Sequence, residues 1–177
     1  MTRYVALLRG INVSGHNKVP MAELRALCAE LGWEDVRTYI QSGNVVFSAE
    51  GRNETLEAQL EAALAKHFGF TVPVMVRSAE QWSRYVAANP LPEASAAEPN
   101  RVMLCVAKEP VAEAAAAALQ ERARDGEQVR TGGGALWIYF PEGSGQSRLF
   151  SGGDRGAPPA TTRNWRTVLQ IQEMLTG

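Results

Sequence analysis

Two cysteines, two histidines and three lysines are all that the 177 residues contain of those types. His16 and His67 are too few for a histidine-rich metal site, and no CxxC, HExxH or EF-hand spacing is present. Two cysteines also exclude a disulfide framework. Cys28 falls in a helical pattern beside Leu24, Leu27 and Leu31, and Cys105 falls in the strand-like run Val102–Val106. Both read as small core residues, which fits a reducing cytoplasm. Aromatic residues are scarce, at 7%. Long apolar runs are absent: Tyr4–Leu8 is stopped by Arg9, far short of the roughly 20 residues of a spanning helix and too short for a signal peptide. A cytoplasmic protein with no membrane partner is expected. Neither charge dominates, with 18 Lys+Arg against 19 Asp+Glu.

The chain is 45% hydrophobic, with apolar residues spread throughout. Collagen, coiled coil and disorder are excluded, and a chain of this length buries roughly 70% of its unfolded surface. Arg3–Arg9 reads as a strand, followed by the Gly-rich loop Gly10–Lys18. Pro20 stands where a first helical residue is expected, because its missing N–H costs nothing there. Met21, Leu24, Leu27, Cys28 and Leu31 recur at helical spacing and Gly32 stops the helix. Val36–Ile40 and Val45–Phe47 flank Gln41-Ser42-Gly43-Asn44 as a hairpin, with Gly43 and Asn44 able to take positive φ. Leu56, Leu60, Leu64 and Phe68 mark a second helix closed at Gly69. Val72–Val76 is a strand whose Pro73 suggests an edge or a strand start. The order β-α-β-β-α-β is that of a ferredoxin-like unit.

After Ser78, residues Trp82, Tyr85 and Val86 suggest a short helix, and the proline-rich stretch 89–100 reads as a linker. Arg101–Ala107 is a strand, Val111–Arg124 a helix, and Gln128–Thr131 with Ala135–Phe140 a hairpin. Residues 141–159 form a Gly/Ser-rich loop, and Thr161 or Thr162 is expected to cap a last helix through Leu175. The expectation is an α+β protein of two ferredoxin-like halves, 1–78 and 79–177, without a visible sequence repeat.

Charge is distributed unevenly. Residues 1–20 carry +3 (Arg3, Arg9, Lys18), residues 36–48 carry +1 (Arg37), and residues 143–170 carry +3 (Arg148, Arg155, Arg163 and Arg166 against Asp154). These sum to +7, so the remainder carries −8. The irregular Gly-rich segments are basic and the ordinary helices acidic; if the basic segments meet, they form an anion-attracting face. The first loop joins a strand to a helix start, where free N–H groups favour an anion. It is not a P-loop, since His16 and Asn17 separate Gly15 from Lys18.

Ser42 as a nucleophile would need a base. A Ser42–His16–Asp154 arrangement has no G-x-S-x-G elbow to support it. In Thr161–Thr167, Trp165 lies on an apolar stripe with Val168 and Leu169. Arg163 and Arg166 are expected to share the face of a first helical turn, where cations oppose the helix dipole unless an anion or a carboxylate sits there. The alternating aromatics of an RNA-binding RNP motif are missing, and Trp137 with Tyr139 reads as buried rather than as a stacking platform.

Several stretches together resemble the bacterial domain-of-unknown-function 1697 family. They are Ala6-Leu7-Leu8-Arg9-Gly10-Ile11-Asn12-Val13, Asn17-Lys18-Val19-Pro20-Met21, Tyr39-Ile40-Gln41-Ser42-Gly43-Asn44-Val45-Val46-Phe47, Val72-Pro73-Val74, Ala88-Asn89-Pro90 and Thr162-Arg163-Asn164-Trp165. The likeness spans essentially the whole chain and implies a cytoplasmic protein of two α-β plaits. It assigns no cofactor and no catalytic residue. One departure is Arg148, where the family usually has Lys.

The function expected is binding of a phosphate-bearing or other small anionic ligand, a nucleotide or nucleic acid among them. Arg9, Asn12, Lys18, Gln41, Ser42, Arg163, Asn164 and Arg166 are the candidate residues, the arginines as bidentate clamps and the amides as orienting groups. The alternatives are a transferase or hydrolase in which His16 serves Ser42 or Ser14, and an assembly protein in which Arg163 and Arg166 are buried in pairs.

Overall fold

The computed structural model describes residues 1–149 and 159–177. Asp154 and Arg155, with part of the 141–159 loop, lie outside them. The protein is α+β and forms two compact units, Met1–Trp82 with Ile171–Gly177, and Ser83–Gln170. Ile171–Gly177 thus counts with the first unit rather than with the residues that precede it.

The first unit follows the ferredoxin-like order β1 (Thr2–Leu8), α1 (Met21–Glu30), β2 (Glu34–Tyr39), β3 (Asn44–Ala49), α2 (Asn53–Phe68), β4 (Val74–Ser78). Its antiparallel sheet has the order β2-β3-β1-β4. Leu24, Leu27 and Cys28 of α1 and Leu56, Leu60 and Leu64 of α2 recur every three or four residues, so each helix has one apolar stripe. Those stripes pack on the sheet face that carries Tyr4, Ala6, Leu8, Val45, Phe47, Val74 and Val76. Burial pushes the Cys28 thiol up to about 12, so it is a packing residue and not a nucleophile. Gly69 closes α2 in the left-handed conformation. Pro20 stands one position earlier than expected, as the cap before α1, with its carbonyl accepting from Leu24 N–H at 3.0 Å.

The second unit repeats the plan with β5 (Val102–Ala107), α5 (Glu113–Arg122), β6 (Gln128–Gly132), β7 (Ala135–Tyr139) and β8 (Ala160–Asn164), in the sheet order β6-β7-β5-β8. Among the described residues no α-helix stands between β7 and β8, where the first unit has α2. Ala116 of α5 packs with Cys105, Val129, Leu136 and Ile138. Three expectations need correction. The 89–100 stretch carries a short helix, α4 (Pro92–Ala97), with proline in its first turn. Thr161 and Thr162 do not cap the last helix: they belong to β8, paired with Val106 and Cys105. Arg163 is therefore a strand residue and shares no helical turn with Arg166.

The two edge strands correspond position by position. Val5 of β1 pairs with Val46 on one side and Arg77 on the other; Leu104 of β5 pairs with Trp137 and Arg163. Arg77 and Arg163 thus occupy the same place in their sheets. Each donates Nη1 to the carbonyl of the preceding residue, Val76 at 2.7 Å and Thr162 at 2.8 Å. Each is followed by a cap and a helix, α3 (Ala79–Ala87) and α6 (Trp165–Thr176). Ser78 and Gln81 form a reciprocal capping box, Gln81 N–H to Ser78 Oγ at 3.2 Å and Ser78 N–H to Gln81 Oε1 at 2.8 Å. Asn164 Oδ1 accepts from Thr167 N–H at 2.9 Å. Ser78→Ala is expected to cost about 1 kcal/mol in urea unfolding. A loss indistinguishable from that of an exposed control such as Glu54→Ala would mean that the box contributes nothing.

Candidate functional site

Residues 9–20 join β1 to α1. The chain can take this path because the tightest bends fall on residues that tolerate left-handed backbone: Gly10 (φ 70°), Asn12 (54°), Ser14 (51°), Gly15 (77°) and Asn17 (50°). Asn12 N–H bonds to Asn17 carbonyl at 3.0 Å, and Val13 bridges His16. The Asn17 amide returns to Gly10 carbonyl at 3.2 Å. Ile11 and Val19 are buried and anchor the loop to the core of the first unit.

Asn12 ties this loop to the β2–β3 turn. Its Oδ1 accepts from Val19 N–H at 2.8 Å, and its Nδ2 donates to Val19 carbonyl at 3.0 Å and to Gln41 carbonyl at 2.8 Å. Both amide protons are used within the fold, so Asn12 shapes the site and offers no free donor to a ligand. A second tie joins Leu8 N–H to Gly43 carbonyl at 2.9 Å. The turn itself differs from expectation: the left-handed residues are Ile40 (φ 48°) and Gly43 (φ 87°), whereas Asn44 is a buried strand residue paired with Leu7. Asn44 Nδ2 holds the turn by donating to Tyr39 carbonyl (3.0 Å) and Ser42 Oγ (3.3 Å).

Of the predicted residues, Arg9, Asn12, Lys18, Gln41 and Ser42 thus belong to two interlocked loops of the first unit. Arg9, Lys18, Gln41 and Ser42 are exposed. His16 is exposed as well, and among the described residues no hydrogen bond joins its ring to Ser14 or Ser42. Asp154, the third member of the conceivable triad, lies outside the described residues.

The model of a family described as a protein of unknown function, DUF1697, matches residues 1–137. The chain belongs to the DUF1697 family. The structure of the conserved bacterial protein SP0830 from Streptococcus pneumoniae is similar over 98% of each chain, at 32% identity and a TM-score of 0.74. No curated protein matches. The whole of the two-loop site falls within the part matched by the DUF1697 model.

The remaining predicted residues of this DUF1697 chain lie in the second unit. Arg163 is buried, 7% exposed, and donates to Thr161 Oγ1 at 2.7 Å; loss of water around it lowers its guanidinium to about 10. Asn164 spends its Oδ1 on the cap of α6. Arg166 is exposed, with Nε donating to Asn100 Oδ1 at 3.1 Å. Trp165 is half-buried, its ring 5.7 Å from that of buried Trp137. Tyr139 donates to Glu98 Oε1 at 2.5 Å, and that bond with the neighbouring carboxylate raises its phenol above the usual range.

Two features escaped the sequence reading. Val13 and Ile40 are 58% and 49% exposed in the two loops. The ion pair of Arg77 with Glu57 (Nη1–Oε2, 3.4 Å) is buried in the first unit. A signal for the pair exists: Glu57, Leu60 and Leu64 fall at i, i+3 and i+7, which sets a carboxylate on the apolar stripe of α2.

Proposed function

We propose that the interlocked loops 9–19 and 40–43 bind a small phosphate-bearing or other anionic molecule, with Arg9 and Lys18 supplying charge and Gln41 and Ser42 supplying polar contacts. The observation that carries this reading is a comparison within the molecule. The second unit closes the same sheet order with residues 108–112 between β5 and α5 and with residues 133–134 between β6 and β7. The fold therefore does not require a connection as long as 9–20 or a turn as long as 40–43. Within the extra length Ile40 holds a left-handed backbone (φ 48°), and strain of that kind costs about 1–3 kcal/mol at a non-glycine residue. The extra length is also basic, since residues 1–20 and 36–48 contain no acid. A surface that is costly to form, unnecessary to the fold and of one sign suits an anion. Arg163 and Asn164 have structural contacts that account for them, so the reading rests on the first unit. A nucleotide is one ligand of this class.

Thermal-shift titration against inorganic phosphate, nucleotides and sugar phosphates tests it. A ligand at 100 times its Kd adds about 2.7 kcal/mol. Lys18→Ala and Arg9→Ala are each expected to weaken binding about ten-fold or more, as the loss of a charge-assisted hydrogen bond does. Arg52→Ala removes an exposed cation elsewhere in the first unit and is expected to change nothing. A shift that fades with salt equally in all three variants would reduce the loops to diffuse charge.

A further inference from the structure

We infer that the ligand of the two-loop site is amphiphilic, an anionic head joined to a short aliphatic body. This rests on the anion-binding reading and specifies its substrate class. Among the described residues four large apolar side chains are exposed: Met1, Val13, Ile40 and Leu169. Met1 is the first residue and Leu169 lies on α6, but Val13 and Ile40 both belong to the site. Each is one residue along the chain from the bond between Asn12 Nδ2 and Gln41 carbonyl, which is 2.8 Å long. Consecutive Cα atoms are about 3.8 Å apart, so both side chains spring from residues that adjoin the contact between the two loops.

Neither is exposed for want of an alternative. A loop that turns through Gly, Asn and Ser takes polar residues at its tip without cost. Ile40 goes further against local preference, because a β-branched residue at φ 48° is a true outlier. Asn or Gly would hold that backbone more easily. The structure thus keeps an apolar side chain at a strained position that faces water, beside Gln41 and Ser42 and across the Asn12 tie from the cationic loop. Phe, Tyr and Trp are absent from both loops and His16 is their one ring, so aliphatic side chains are the larger apolar contact that the tips provide. A phosphate or carboxylate would meet Arg9 and Lys18 while a chain of a few carbons covers Val13 and Ile40.

The test is a homologous series, inorganic phosphate and then methyl, butyl and hexyl phosphate, followed by calorimetry below their aggregation limits. Affinity is expected to rise about two-fold per methylene, the value for half-burial, against about four-fold for full burial. In the double variant Val13→Ser with Ile40→Asn, which relieves the left-handed strain, the rise is expected to vanish, read as the ratio of each alkyl phosphate's Kd to that of inorganic phosphate in the same variant. A flat series in the unaltered protein with inorganic phosphate still bound would overturn this inference and leave the anion site standing. Failure of every phosphate would remove both. A slope that survives the double variant would place the aliphatic contact elsewhere and also overturn it. Vesicles containing phosphatidic acid separate a free ligand from a lipid surface: retention on them without affinity for the soluble alkyl phosphates would assign the loops to a membrane surface instead.

Discussion

Glu57→Gln is expected to destabilise the first unit by about 3–5 kcal/mol, the cost of removing one partner from a buried ion pair. Glu57 Oε2 lies 3.4 Å from Arg77 Nη1 and accepts from Val76 N–H at 2.8 Å. Glutamine keeps a carbonyl oxygen for Val76, so the loss reports mainly on the charge left at Arg77. The setting decides the magnitude. Both side chains are below 10% exposed, whereas Arg52 and Glu54, 3.7 Å apart at 85% and 74% exposure, form a pair worth well under about 1 kcal/mol. Urea unfolding followed by circular dichroism measures both. Glu57→Gln with Arg77→Met removes both charges while glutamine keeps an acceptor for Val76 N–H, and it is expected to recover most of the loss. A single-variant loss near that of Glu54→Ala would mean that water reaches the pair and that its burial is not energetically real.

The first unit was largely legible because its signals are local. The stripes of α1 and α2, the αL stop at Gly69 and the hairpin around Gly43 each arise within a few residues, and together they gave the β-α-β-β-α-β order. What failed was non-local. β8 is five residues of alanine, threonine, arginine and asparagine whose strand state depends on pairing with β5, about 60 residues earlier in the sequence. Read alone, Thr161-Thr162 before an apolar stripe looks like a helix cap, and the true cap, Asn164, has the same chemistry. α4 was hidden because prolines signal both linkers and helix first turns. The equivalence of Arg77 and Arg163 could not appear without the register, since the two strands, Val-Met-Val-Arg-Ser and Ala-Thr-Thr-Arg-Asn, share only arginine. At the candidate site the cations and the turn residues were visible, but the assignment of roles was not. The residue type marks Asn12 as an orienting hydrogen-bond group, but not that its amide joins the first loop to Gln41. Positive φ was given to Asn44, which its composition favours, and fell on Ile40, which nothing local predicts.

Gly43→Ala is expected to lower stability by about 2–5 kcal/mol and to weaken anion binding with it. Gly43 has φ 87°, and a Cβ built there would lie 2.8 Å from Leu8 Cβ and 2.9 Å from Ile11 Cδ1. The first distance involves an atom rigidly attached to the backbone of a central strand, so the strain cannot be relieved by a rotamer change. The left-handed penalty for a residue with Cβ is roughly 1–2 kcal/mol, and overpacking in a filled core adds typically 1–3 kcal/mol. Gly15, in the facing loop, separates the two contributions. It has φ 77° but nothing within 4 Å of its would-be Cβ, so Gly15→Ala carries the backbone penalty alone. The difference between the two variants is therefore the steric share, and it is expected to be at least about 1 kcal/mol. Ile11 is the side chain that must give way, and it is also the anchor from which Asn12 reaches Gln41. Displacing it moves the cationic loop relative to Ser42, so Gly43→Ala is expected to raise Kd for phosphate even at temperatures where the protein is fully folded. Equal stability losses at positions 43 and 15 would show that Ile11 and Leu8 yield without cost. An unchanged Kd in folded Gly43→Ala would show that the ligand does not depend on the register of the two loops, and the anion site would then have to be sought away from their contact.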